Sequence, residues 1–288
     1  MKSKSASERQ GVTASFSPTE SNRFDKRVVR FMITDANIGQ LKRQIELHYP
    51  DVAIVRLPSQ KVHLVNDLYS SFPEVFFGDC LVEYSMDFDQ FAVSANLNDS
   101  ALSVVTADET NLDELSRLVS ESFSDYKNHY RHNPVLNEFD LIPIYQEWVK
   151  SSVISSDKTC LLFFSAEALC GFFTAEKIGS VYKGLLSGVA PQYRGAGIFR
   201  GIIRAVKSIF FEDGATQIVT SVLLENRPVH KVLLSEGFTI SNSLYTIHLN
   251  LRTSHTLPPS RRWGKTFKSL TPTPTRRRSR FAGLTDNA

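Results

Sequence analysis

Apolar and polar positions along this chain alternate between strand and helix periods in two successive blocks. In the first block, Val28–Ile33 is a short apolar run suited to a strand, and Asn37–His48 repeats apolar residues at helical spacing through Ile38, Leu41, Ile45 and His48. Asp51–Leu57 alternates as a strand does. Val62–Ser71 reads as a second helix, closed by Ser71-Phe72-Pro73, and Gly78–Met86 as a further strand. The resulting β-α-β-α-β order predicts a small α/β domain over residues 25–102.

The second block opens near Leu102. Asp108 is placed to cap a helix over Leu112–Phe123, with Glu109 in its first turn. An aromatic stretch follows from Phe123 to Tyr130, then His132, Asn133 and Pro134, then a helix over Ile142–Ser151. Cys160–Ser165 and Cys170–Ile178 read as a strand hairpin, and Gly184–Val189 as the next strand. Ile198–Phe211 has a strong helical stripe at Ile198, Ile202, Val206 and Ile209 or Phe210, stopped by Gly214. Gln217–Leu224 is an apolar strand, Pro228–Leu234 a helix ended by Gly237-Phe238, and Ser243–Leu251 a last strand. No internal repeat is visible. Residues 1–24, rich in Ser, Thr and charge, read as a mobile lead-in.

Composition adds limits. With 288 residues, 42% of them hydrophobic, the chain has ample material for a core, and it is neither collagen-like, a coiled coil nor wholly disordered. Apolar runs such as Leu161–Phe164 are far short of the roughly 20 residues that span a bilayer. The first ten residues hold no apolar core, so no secretory signal is expected there. Three dispersed cysteines, Cys80, Cys160 and Cys170, argue against a disulfide framework and against a zinc site, and no metal is expected. A reducing cytoplasm is the expected compartment. Charge is divided: the formal total is +3, but residues 252–288 carry nine basic residues against Asp286, leaving the body at −5. That tail, with four prolines and few apolar residues, is expected to be disordered. It reads as a solvated extension, as a surface for nucleic acid or anionic lipid with Trp263 and Phe267 near the interface, or as a contact for an acidic acyl carrier protein. Nucleic-acid binding rests on the tail alone and is not the expected function.

The candidate chemistry lies in Val189-Ala190-Pro191-Gln192-Tyr193-Arg194-Gly195-Ala196-Gly197-Ile198, between a strand and a helix. Glycines let a backbone approach a ligand closely, and a helix start offers unpaired N–H groups and a positive dipole end. By itself the segment is also compatible with a plain helix-starting turn. It is followed by Asn226, Val229, Leu233, Gly237 and Phe238. Together these segments resemble the Gcn5-related N-acetyltransferase (GNAT) superfamily over roughly residues 103–251. The resemblance implies a GNAT fold: an α/β (α+β) arrangement with a mixed central sheet flanked by helices, preceded here by the smaller N-terminal α/β domain.

The same resemblance implies an acyl-CoA-dependent N-acyltransferase with acetyl-CoA or another acyl-CoA as co-substrate. Backbone N–H groups of Arg194, Gly195, Ala196, Gly197, Ile198 and Phe199 would hold the pyrophosphate. Strand Leu185–Val189 would pair with the pantetheine arm, Asn226 would contact it, and a backbone N–H at Val189 would serve the thioester oxyanion. Many members carry a Tyr seven residues after the Asn as general acid; here that position is Leu233. Tyr245, His248 and His230 are the candidate substitutes, Tyr245 first, with packing on a terminal strand and exposure on a helix as the structural readings of Tyr245 and His230. Leu185–Val189 also lacks the carboxylate that some members use as base; Ser187 is polar but no strong base.

The added N-terminal domain and the segment Phe123–Tyr130, leading to Tyr145 and Trp148, resemble acyltransferases for nucleotide-linked amino sugars of the dTDP-fucosamine type. That implies a dTDP-amino sugar as acceptor, with Tyr126, His129 and Tyr130 in its pocket; the structural alternative is a helix face packed on the sheet. A GNAT acting on a protein or small amine, and a non-catalytic acyl-CoA-binding module, are the competing expectations, the latter motivated by Leu233.

Overall fold

Among the described residues ten strands join into one mixed sheet in the order β1-β2-β3-β10-β4-β9-β8-β7-β6-β5. They are β1 (Val12–Phe16), β2 (Val28–Ile33), β3 (Val52–Pro58), β4 (Val75–Asp87), β5 (Leu102–Thr106), β6 (Lys158–Ser165), β7 (Ala168–Ile178), β8 (Val181–Val189), β9 (Gln217–Leu223) and β10 (Thr239–Asn250). Among the described residues seven helices connect them: α1 (Pro18–Phe24), α2 (Ile38–His48), α3 (His63–Ser71), α4 (Leu112–Phe123), α5 (Ile142–Ile154), α6 (Ile198–Glu212) and α7 (Arg227–Ser235). The structure is a computed structural model that describes residues 11–88 and 102–251. The basic tail expected to be disordered lies outside the described residues.

Both helix faces follow the apolar spacing. Ile202, Ile203, Val206 and Phe210 of α6 are buried, each worth about 1.5–3 kcal/mol. They pack with Leu233 of α7 and with Val82, Tyr84 and Met86 of β4. Leu41 and Ile45 of α2 and Leu64 and Leu68 of α3 cover Val55, Leu57, Ile247 and Leu249. A third cluster, under α4, α5 and α1, includes Phe24, Val28, Ile54, Leu118, Tyr145 and Phe172. Alternation along β10 separates the faces: Tyr245, Ile247 and Leu249 meet the cluster of α2 and α3. Thr246, His248 and Asn250 point the other way, where His248 meets the 3-10 turn His129–His132.

About the β10–β4 pair the sheet order corresponds through three strands on each side, β3-β2-β1 on one and β9-β8-β7 on the other, with β6 and β5 added beyond β7. In the first half, β2 lies parallel to β3 with α2 between them, and α3 leads to β4. In the second half, β8 lies parallel to β9 with α6 between them, and α7 leads to β10. Each half donates its last strand to the other: β10 lies between β3 and β4, and β4 lies between β10 and β9. Antiparallel β4 and β10 thus flank an approximate two-fold axis through the sheet. The absence of a repeat in the sequence therefore does not extend to the topology. Apolar periodicity is kept between the halves, whereas residue identity is not.

Two further expectations differ from the structure. The lead-in assigned to residues 1–24 contains β1, paired antiparallel with β2, and α1. Few of its side chains face inward, Val12, Glu20 and Phe24 among them, so its composition resembles that of solvated chain. The boundary expected near residue 102 divides the chain but not the sheet. β10 pairs with β3 along Val52–Pro58 and with β4 along Val75–Ser85, which ties the C-terminal strand into the N-terminal segment.

Candidate active site

Parallel pairing of β8 with β9 stops early. Val181–Lys183 pair with Gln217–Val219, and beyond Lys183 the two strands share no ladder, so a cleft opens at their C-terminal ends. Such a site, outside the carboxyl ends of parallel strands, is where open α/β sheets bind ligands. A bulge at Leu185 shifts the β7–β8 register between Ala175–Gly184 and Thr174–Leu186. Thr174 Oγ1 fastens it, accepting from the Leu186 N–H and donating to the Leu186 carbonyl, both at 3.0 Å. The Ala190 N–H donates to the Cys170 carbonyl at 2.9 Å. By alternation, the backbone groups of Ser187 and Val189 point away from β7, toward the cleft. The Val189 carbonyl accepts from Arg194 Nε at 3.3 Å. Its N–H is aimed at the open side, where the GNAT resemblance implies an oxyanion donor.

The predicted loop closes the end of this cleft. A 3-10 turn over Pro191–Tyr193 leads to Gly195 and Gly197, with φ of 81° and 80°. A Cβ at either would meet no protein atom within 4 Å, so the concave side of the loop is open. Gly197 is the N-cap of α6, and no side chain caps it. The first-turn N–H groups of Ile198, Phe199 and Arg200 therefore have no helical acceptor and lie at the positive end of a 15-residue helix. Gly195, Ala196 and Gly197 are exposed. This donor set fits a pyrophosphate. The Arg194 side chain does other work: besides Val189 it binds the Ser122 carbonyl at 2.9 Å, tying the loop to the end of α4.

The corresponding turn in the first half is closed. Asn37 caps α2 with its side chain, and Gln40 reaches back to the Asn37 N–H in a full capping box. The donors that α6 leaves open are satisfied internally in α2.

Asn226 is the N-cap of α7 just beyond β9, and its side chain makes no capping bond. Leu233 is 1% exposed within the α6–α7 cluster, so it supplies packing at the position where GNAT members often carry an acid. His230 is committed: its Nε2 lies 3.0 Å from the Leu223 carbonyl and its Nδ1 2.7 Å from the Tyr84 hydroxyl. With Nε2–H donating to the carbonyl, Nδ1 accepts from Tyr84. Tyr245 is half-buried on β10, with its ring 5.7 Å from Phe77 and packed against the cluster of α2 and α3. His248 is fully buried, and burial pushes it down to about 3, so at neutral pH it is the uncharged imidazole and not a general acid.

The three residues expected in the acceptor pocket separate. Tyr130 is 1% exposed and donates to Glu20 at 2.5 Å, while Arg30 grips the same carboxylate at 2.6 and 2.9 Å. Burial opposes charge on Glu20, and the Arg30 guanidinium and its hydrogen bonds still hold the carboxyl below its usual range. His129 is 6% exposed, with Nδ1 2.7 Å from His248 Nε2. Burial first, and neighbouring His248 second, push it well below the usual imidazole range. Asn133 completes the network, binding His248 at 3.2 Å and exchanging two hydrogen bonds with Asn250. Tyr130 spends its hydroxyl on Glu20 and Arg30, and His129 its Nδ1 on His248, so both are buried supports of the sheet. Tyr126 remains half-buried, edge-on to Phe123 and Tyr145.

Sequence reasoning missed other residues that flank the cleft. A Cβ on Gly188 would lie 2.6 Å from Phe172 Cε1 and 2.9 Å from Ser122 Cβ, so only glycine lets α4 approach β8. A glycine inside a strand was the available signal. Ser122 Oγ and Asp79 Oδ1 are buried without hydrogen-bond partners among the described residues, and nothing local in the sequence marks either.

No family model matches the chain, and no curated protein sequence matches it. Solved structures do resemble it. A GCN5-related N-acetyltransferase from Sphaerobacter thermophilus superposes with a TM-score of 0.58 at 10% identity, over 84% of this chain and 78% of that one. A functionally unknown conserved protein from Staphylococcus epidermidis gives 0.57 at 11% identity, over 81% and 88%. A tandem GNAT protein from the clavulanic acid biosynthesis pathway gives 0.51 at 11% identity, over 79% and 76%. The chain therefore has the fold of the Gcn5-related N-acetyltransferases.

Proposed function

We propose that this protein is an acyl-CoA-dependent N-acyltransferase that acts on a small-molecule amine. The observation that carries this reading is the open, uncapped turn Gly195–Gly197 at the start of α6, beside the parting of β8 and β9. An acyl-CoA would supply an activated thioester; the chain's own residues bind and orient. Amides of Gly195 to Phe199 hold the pyrophosphate, Ser187 and Val189 offer backbone groups to the pantetheine arm, and the Asn226 amide lies at the end of β9. The Val189 N–H is aimed to stabilise negative charge developing on the thioester oxygen. The transfer forms a C–N bond and breaks a C–S bond. An ammonium acceptor sheds two protons to solvent in all, and the departing thiolate takes up one, so one proton is released net.

Leu233 leaves that thiolate to draw its proton from solvent, since His230 and His248 are engaged elsewhere and Tyr245 packs beside Phe77 against the cluster of α2 and α3. The nucleotide-linked amino sugar expected from the sequence keeps Tyr126 as support and loses His129 and Tyr130 to the protein interior. This favours a smaller acceptor. The test is thiol release from acetyl-CoA against dTDP-amino sugars, peptides, polyamines and amino acids. Release with one class names the acceptor. Binding of coenzyme A with no release for any amine would replace this reading with a non-catalytic binding module.

A further inference from the structure

Three polar side chains stand in one row across adjacent strands. Arg56 of β3 pairs with Thr246 of β10, and Thr246 pairs with Asp79 of β4. Paired positions share a face, here the face covered by the His129–His132 turn. Arg56 Nε, Thr246 Oγ1 and Asp79 Oδ1 are all buried without hydrogen-bond partners among the described residues. Thr246 is 0% and Asp79 9% exposed. Burial raises the Asp79 carboxyl above its ordinary value, and neighbouring Thr246 and Arg56 offset this only in part. Among the described residues no ion pair within 4.0 Å joins Arg56 to Asp79. Their Cα atoms are two strand spacings apart, about 9.6 Å. Buried opposite charges that face each other without touching are costly to fold, and buried polar groups are otherwise almost always satisfied.

The row adjoins the candidate cleft. The Cys80 carbonyl, next to Asp79, accepts from the Leu224 N–H at 2.9 Å, just beyond the end of β9. Exposed His132 and half-buried Tyr126 are close enough to interact electrostatically with Asp79. A bridging ligand needs a negative group for Arg56, a positive group for Asp79 and a short span between them.

We propose that the Arg56–Thr246–Asp79 row is the acceptor subsite and takes a free amino acid, with its carboxylate on Arg56 and its ammonium on Asp79. This rests on the acyltransferase reading only for the word acceptor; the binding itself is independent of acyl-CoA. Guanidinium binds carboxylate with two parallel bonds, which sets the ligand's orientation. Thr246 Oγ1 supplies a hydroxyl between the two charges.

The test is calorimetric binding of each common α-amino acid, and of its C-terminal amide, to the full chain without acyl-CoA. At least one free amino acid should bind tenfold or more tighter than its amide. Arg56→Gln should abolish that preference, and Arg56→Lys should keep part of it. Asp79→Asn should weaken acid and amide alike by tenfold or more, because both carry the ammonium. Failure of every amino acid to bind, or equal binding of acid and amide, overturns the proposal; a water bridging the row would give that result. Circular dichroism and coenzyme A affinity report whether a variant is folded, and if Arg56→Gln is not, the Lys variant and the acid-to-amide ratio of the unaltered chain decide. Amino-acid binding without coenzyme A binding would end the acyltransferase reading and keep the subsite. Coenzyme A binding without amino-acid binding would do the reverse.

Discussion

Replacing Gly195 by valine separates ligand geometry from backbone strain. Gly195 sits at φ 81°, where an L residue is strained by about 1–2 kcal/mol. No protein atom lies within 4 Å of the added Cβ, so strain and not collision sets the folding cost. For a domain of this size, each kcal/mol lowers Tm by about 2–4 °C, so a fall of about 2–8 °C is expected. The ligand is affected more. Hydrogen bonds to charged groups contribute about 1.5–3 kcal/mol each. A branched side chain on the open side of the loop would displace the pyrophosphate from one or two amides. A loss of about 3 kcal/mol weakens coenzyme A binding roughly 100-fold. Gly214 provides the control: its φ is 79°, its Cβ position is equally open, and it lies beyond the opposite end of α6. Gly214→Val should lower Tm by a similar amount and leave coenzyme A affinity unchanged. Titration calorimetry at fixed ionic strength, with parallel thermal melts, measures both quantities. If Gly195→Val binds within threefold of the unaltered chain, or if Gly214→Val loses as much affinity, the loop does not hold the pyrophosphate.

Two further outcomes follow from the same geometry. Because the Asn37–Gln40 capping box closes the turn of the first half, coenzyme A should bind with a stoichiometry of one, and a calorimetric value near two would show that the first half also binds it. The buried His129–His248 pair makes stability depend on pH. Both imidazoles have lowered values in the folded state, His248 to about 3, against about 6.5 unfolded. The unfolded chain then binds more protons, so stability is full above about pH 6.5 and falls toward pH 3, by up to about 1.4 kcal/mol per pH unit for each histidine. Urea unfolding at pH 7 and pH 5 measures this, and His248→Gln should flatten the slope; an unchanged slope would contradict the assignment.

Much of the fold was legible along the chain, because helices and half-buried strands leave local periods. The stripe Ile198, Ile202, Val206 and the alternation of Asp51–Leu57 required no tertiary information. Gly195 and Gly197 were legible as well, since a helix start preceded by glycines carries its own chemistry in backbone amides. What local pattern could not carry was partnership. Glu20 reads as a solvated acid in a polar lead-in, yet its partner Arg30 stands on β2 and makes it a buried residue. His129 and Tyr130 read as pocket residues because aromatic and polar groups look alike whether they meet a ligand or His248 and Glu20.

The sequence by itself determined the types of most elements outside β1, α1 and β5, the order of the two α/β blocks, the glycine turn before α6 and the apolar residue at Leu233. Only the tertiary structure decided that the two blocks exchange β4 and β10. It alone decided that β8 and β9 part after Lys183, and that residues 56, 79 and 246 meet in one row. The physical reason is that a helix or strand period is set by neighbours a few residues away. Sheet order and register are set instead by hydrogen bonds and side-chain burial between segments nearly two hundred residues apart, and those leave no period to read.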